Sequence, residues 1–123
     1  MFGGQTTDKP FLGDMWAFSQ AKWTEIAGER KPSPRNFYSM AFDDASDKVI
    51  LFGGNTQDGP SNELWLFASR GDAWSLGSPE GDAPTPRYGH DAAWIAESRK
   101  LFVFGGHDDK GDLNEMWELT VPA

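Results

Sequence analysis

Cysteine is absent from the 123 residues. That excludes a disulfide framework, a thiolate metal site and a cysteine nucleophile, and it leaves the compartment open. No apolar run approaches the roughly 20 residues of a membrane-spanning helix. The first residues, Met1-Phe2-Gly3-Gly4, have neither the basic region nor the apolar region of a secretory signal. In a longer chain such a signal would lie upstream. Positive charge is short, with 11 Lys and Arg against 19 Asp and Glu, a formal net charge of -8. Such a surface repels nucleic acid and anionic membrane, favours basic or neutral partners, and keeps the chain soluble. Histidine is scarce too, at two.

Aromatic residues are plentiful, at 14% with six Trp, alongside 14 Gly and 8 Pro. That profile fits short strands joined by many turns. An internal repeat organises it. Phe-Gly-Gly occurs at Phe2, Phe52 and Phe104, with Phe-to-Phe spacings of 50 and 52. An acidic residue stands two places before a Trp in Asp14/Trp16, Glu63/Trp65 and Glu115/Trp117. These Trp lie 14, 13 and 13 residues after the Phe. A second Trp follows at Trp23 and Trp74. Then comes Pro-x-Pro-Arg, as Pro32-Ser33-Pro34-Arg35 and Pro84-Thr85-Pro86-Arg87, with each Arg 17 residues before the next such Phe.

Each repeat reads as four strands. The first covers about 38–42 and 90–95, and the second is Val49–Phe52 and Leu101–Phe104. The third holds the Trp, at Met15–Phe18, Leu64–Phe67 and Met116–Leu119. A short fourth begins near Trp23 or Trp74. The second strands are apolar at every position, so both of their faces must be covered. Propeller blades packed face to face around an axis meet that requirement. The Gly pair permits positive φ and close approach to the adjacent blade. Trp16, Trp65 and Trp117 are the expected fillers of the wedge between blades.

Together these marks resemble the kelch repeat, in particular the galactose-oxidase central-domain type with Arg87-Tyr88-Gly89-His90 and Phe-Gly-Gly. The resemblance covers essentially the whole chain. It implies an all-β kelch β-propeller fragment of about two and a half four-stranded antiparallel blades. These divide as a partial blade at 1–34, a complete blade at 35–86 and a partial blade at 87–123. Propellers carry about 4–8 blades. The expectation is therefore a longer chain or a ring-closing homo-oligomer, since no polar cap is evident. Val121-Pro122-Ala123 reads as an interrupted connection.

The loops after each Gly pair are the candidate binding residues. They comprise Gln5 to Asp8; Asn55, Thr56, Gln57 and Asp58; and His107, Asp108, Asp109 and Lys110. They occupy equivalent positions while differing in sequence, as loop-borne specificity requires. Read otherwise, they are polar turns. The resemblance adds Arg35, Asn36, Arg87 and Tyr88, near the turn that lines the binding face of some kelch modules. The matching Arg of the family also ties one blade to the next. His90 aligns with Tyr38 and so reads as scaffold. His107, Asp108, Asp109 and Asp112 lack the spacing of a calcium loop, and no metal is expected.

The expected function is a protein-interaction module that binds a protein or peptide through the loops of one face, without a cofactor. Tyr88 and Phe37 are candidate anchors. Such a partner would not be strongly acidic; nucleic acid and membrane are not expected. The alternative is part of a kelch-type enzyme, sugar-modifying or metal-dependent, whose active site lies on further blades. No nucleophile elbow, paired-His helix or phosphate loop occurs in this chain to support it. A short self-assembling propeller unit is a third reading.

Overall fold

The computed structural model describes residues 1–28, 30–68, 70, 73–77 and 82–121. Pro122 and Ala123, part of the expected interrupted connection, lie outside the described residues. Strands and turns make up the described chain. In order they are β1 (Trp16–Ser19), β2 (Lys22–Glu25), β3 (Arg35–Asn36), β4 (Ser39–Asp43), β5 (Lys48–Phe52), β6 (Asn55–Thr56) and β7 (Gly59–Pro60). There follow β8 (Leu64–Ala68), β9 (Ala73–Leu76), β10 (Asp91–Ile95), β11 (Lys100–Phe104), β12 (His107–Asp108), β13 (Gly111–Asp112) and β14 (Met116–Thr120).

One complete antiparallel blade, in the order β4-β5-β8-β9, stands between two smaller sheets. Ahead of it lies β1-β2, extended by a bridge between Phe2 and Met15. Behind it lies β10-β11-β14. The four-strand reading of the repeat therefore holds, with strand edges shifted by a residue or two. The main correction concerns the loops after the Gly pairs. In the second and third repeats they are small ribbons: β6 pairs with β7 and with β3, and β12 pairs with β13.

Strand alternation explains why β5 is apolar throughout. Ile50 and Phe52 point to one side, into a core shared with Leu101, Val103, Leu119 and Val121 of the following blade. Leu51 points to the other side, with Trp65, Phe67 and Trp74, against Phe2 and Met15 of the preceding blade. A period-2 strand buried on both faces must be apolar at successive positions. Trp65 fills the first interblade wedge, and Trp117 packs against the second. Phe104 is 52% exposed, whereas its counterparts Phe2 and Phe52 are covered by rings of the next blade.

Those covering rings are Tyr38 and His90, which align in the repeat. Tyr38 meets Phe2 edge-on at 6.0 Å, and its hydroxyl donates to the Phe2 carbonyl. His90 meets Phe52 edge-on at 5.3 Å, with its Nε2 2.9 Å from Ser39 Oγ. Burial, with the nearby Arg87 charge, lowers the His90 pKa to about 4. The folded state thus binds this proton more weakly than the unfolded chain does. Stability is full above about pH 6.5 and declines as the pH falls toward about 4. A shift of that size corresponds to a loss of about 3 kcal/mol. His90→Tyr, copying Tyr38, should flatten urea-derived stability between about pH 4.5 and 6.5. A variant retaining the wild-type slope there would assign that slope to other groups.

Candidate functional site

The Pro-x-Pro-Arg turn organises the face that carries the loops. Arg35 pairs through its backbone with the preceding repeat: its N–H donates to Leu12 O at 3.0 Å, and its carbonyl accepts from Gly4 N–H at 2.9 Å. Its guanidinium turns to its own blade, donating to Gly53 O (3.1 Å), Ser33 Oγ (3.2 Å) and Glu63 Oε1 (2.9 Å). Arg87 repeats the arrangement. Its backbone engages Ser61 O and Gly54 N–H, and its guanidinium reaches Gly105 O (3.2 Å), Thr85 Oγ1 (3.0 Å) and Glu115 Oε1 (2.7 Å). Each arginine is a staple with one end in either blade.

Both arginine side chains are 0% exposed. Nε, Nη1 and Nη2 of each guanidinium all donate to acceptors of the blade junction. Burial works to raise the Glu63 carboxyl, yet the hydrogen bond and charge of Arg35, with Trp65 and Ser61, hold it below the ordinary range. The hydrogen bond from Arg87 does the same for Glu115. Glu63 and Glu115, before Trp65 and Trp117, thus also hold the arginines, which the sequence by itself did not reveal. A usable signal existed, because Arg and Glu are 28 residues apart in both copies. Asn36 is buried as well. Its amide nitrogen donates to Gln5 Oε1 (2.9 Å) and Pro10 O (2.7 Å), while its Oδ1 has no partner.

The remaining candidates come together on the rim. Asn55 and Gln57 lie on the β6–β7 ribbon, and Asp58 stands at its tip, where its N–H meets Thr56 Oγ1 at 3.2 Å. His107, Asp108 and Asp109 occupy the equivalent ribbon one repeat later. Asp108 Oδ1 closes that turn on the N–H groups of Lys110 and Gly111, and His107 Nδ1 lies 2.6 Å from Asp112 Oδ1. Among the described residues no His, Asp and Glu side chains gather into a group able to hold a metal ion.

Three concavities follow the rim. One of about 460 Å³ lies between the loop of the first repeat and the ribbon tip of the second, lined by Phe11, Pro34, Gln57 and Asp58 among others. A second of about 340 Å³ lies one repeat on, with Asp58, Pro60, Pro86 and Asp109. Ser33-Pro34 and Thr85-Pro86 line the two grooves at equivalent positions. The third, about 330 Å³, is ringed by Phe37, Tyr88, Gly89 and His107. There Tyr88 lies 6.2 Å from Phe37 and 5.7 Å from His107, ring to ring. Phe37 holds a positive φ of 54°, where the next repeat has Gly89 at 68°.

The profile of the KLHDC2/KLHL20/DRC7 Kelch-repeats domain matches residues 1–122. The chain belongs to the kelch-repeat family. Kelch-repeat domains are generally protein-interaction modules. Similar curated proteins include acyl-CoA-binding domain-containing protein 4 of Arabidopsis thaliana, 33% identical over 98% of this kelch chain. The dynein alpha chain of the Chlamydomonas reinhardtii flagellar outer arm is 37% identical over 80% of it. Kelch repeat-containing protein 2 of Saccharomyces cerevisiae is 28% identical over 92%. The kelch chain spans 18%, 2% and 14% of those relatives, respectively.

Proposed function

We propose that this kelch chain captures a protein or peptide on the rim formed by its post-glycine ribbons and Pro-x-Pro turns. One observation carries the reading. The residues that differ between repeats, Asn55, Gln57, Asp58, His107, Asp108 and Asp109, stand on ribbons held by invariant glycine and arginine junctions. Rigid frames with variable tips are how loop surfaces gain specificity without loss of fold. The complete unit is taken as 35–86, flanked by partial units at 1–34 and 87–123.

Phe37 and Tyr88 supply the apolar anchor. Phe37 is 55% exposed and sits in the left-handed region, where a non-glycine residue costs about 1–2 kcal/mol. A strained backbone carrying an exposed ring over a concavity suits a contact residue. Replacing Asn55, Asp58, His107 and Asp108 together by Ala is expected to abolish partner capture while leaving strand-type circular dichroism unchanged. Capture at wild-type strength by that variant removes the reading.

A further inference from the structure

Charged side chains line the two rim grooves. Asp8, Asp58, Asp108 and Asp109 line them, against Lys9 and Lys110. Among the described residues the carboxylates of Asp8, Asp58 and Asp109 have no hydrogen-bond or ion-pair partner. Asp58 lines both grooves and forms the partition between them. Apolar side chains line the same grooves, Phe11 and Pro34 in one and Pro60 and Pro86 in the other.

Apolar lining beside unpartnered carboxylates suits a long aliphatic stem with a cationic end. We infer that the two grooves receive two basic side chains, Lys or Arg, of one extended peptide segment crossing Asp58. The inference rests on the rim being the partner face and adds the partner's charge pattern. Charge complementarity selects this occupant, since the chain as a whole carries -8. The repeat supplies the second groove, because the same turn and ribbon recur one blade on. Exposed ion pairs are individually weak. Two linked sites sharing one carboxylate are therefore needed for useful affinity, and binding should weaken with salt.

The test is fluorescence anisotropy of the purified chain with labelled peptides of equal length. They carry two Lys or Arg at varied spacing, with Gln-substituted and Glu-substituted versions beside them. At least one basic peptide should bind at least tenfold tighter than its Gln version, weaken as salt rises, and leave the Glu version unbound. Asp58→Lys should reduce that binding at least tenfold and improve binding of the Glu version. Asp58 is exposed and its carboxylate touches nothing, so the variant's circular dichroism should match the wild type. Equal binding of basic and Gln peptides, indifference to Asp58→Lys, or no binding across the panel overturns the inference. If a Gln peptide binds equally and the quadruple Ala variant loses it, the rim stands as the partner face and only the charge pattern falls. If a basic peptide binds the quadruple variant undiminished, both fall.

Discussion

Arg87→Ala should lower the unfolding free energy by about 3 kcal/mol, the lower part of the range for breaking a buried ion pair. The guanidinium is fully buried and supplies the side-chain donor to Gly105 O across the turn. Truncation leaves a void, and it strips that buried carbonyl of its side-chain donor. The cost stays at the lower end because Glu115 is half exposed and regains water once its partner is gone. Arg87→Lys keeps the charge but lacks the planar fork that reaches Thr85, Gly105 and Glu115 together, and should recover only part of the loss. Arg35→Ala should match Arg87→Ala, since its contacts repeat one blade earlier. Urea unfolding followed by Trp fluorescence measures all three. A loss below about 1 kcal/mol for Arg87→Ala would show the staple to be incidental, because surface substitutions alone reach roughly half that.

Gly53→Ala is expected to cost a similar amount for a different reason. Gly53 has φ of 69°, and a Cβ there would stand 2.7 Å from His90 Cε1 and 2.9 Å from the Arg87 carbonyl. The left-handed backbone costs an L-residue about 1–2 kcal/mol. Forced contact with a packed ring and a fixed carbonyl adds about 1–3 kcal/mol. Gly59→Ala is the control. Its φ is 110°, and no atom lies within 4 Å of the added Cβ. Only backbone strain remains there, so its urea midpoint should fall visibly less. Equal midpoints for the two variants would mean that the interblade approach at Gly53 relaxes freely.

The chemistry of these variants indicates how much was readable beforehand. Phe-Gly-Gly was readable because one position had to satisfy three demands at once: an interior strand end, positive φ and a neighbour's backbone at close range. Gly3 shows the same constraint, with the Arg35 carbonyl 2.6 Å from a would-be Cβ. Trp65 was readable for a similar reason, since only a large ring fills the wedge beside Trp74. The alignment of Tyr38 with His90 foretold an interchangeable scaffold ring, and both cover the Phe of the preceding blade. Arg35 and Arg87 were only half legible. Their recurrence marked them, but an arginine at a turn is equally a surface ligand contact or a buried staple until its partners are placed.

Asp43 and Arg99 went unremarked for want of any repeated mark. They meet at 2.8 Å across the second blade junction, with Asp43 almost wholly buried. Burial works to raise the Asp43 carboxyl, but hydrogen bonds from Ser46 and Arg99 hold it below the ordinary range. The ribbons at Asn55–Thr56 and His107–Asp108 were legible only as loops, because two-residue strands leave no periodicity to detect.

By itself the sequence determined the architecture. Repeating spacings of apolar strands, glycine pairs and tryptophans admit face-packed blades, because each strand needs cover on both sides. Tertiary structure alone decided which polar residues face solvent. Arg87 and Asp58 are both charged residues in turns, yet one is sealed between Thr85, Gly105 and Glu115 and the other stands between two grooves. Burial of a polar group depends on partners brought together from about 18 to 28 positions away, and local composition carries no record of that distance.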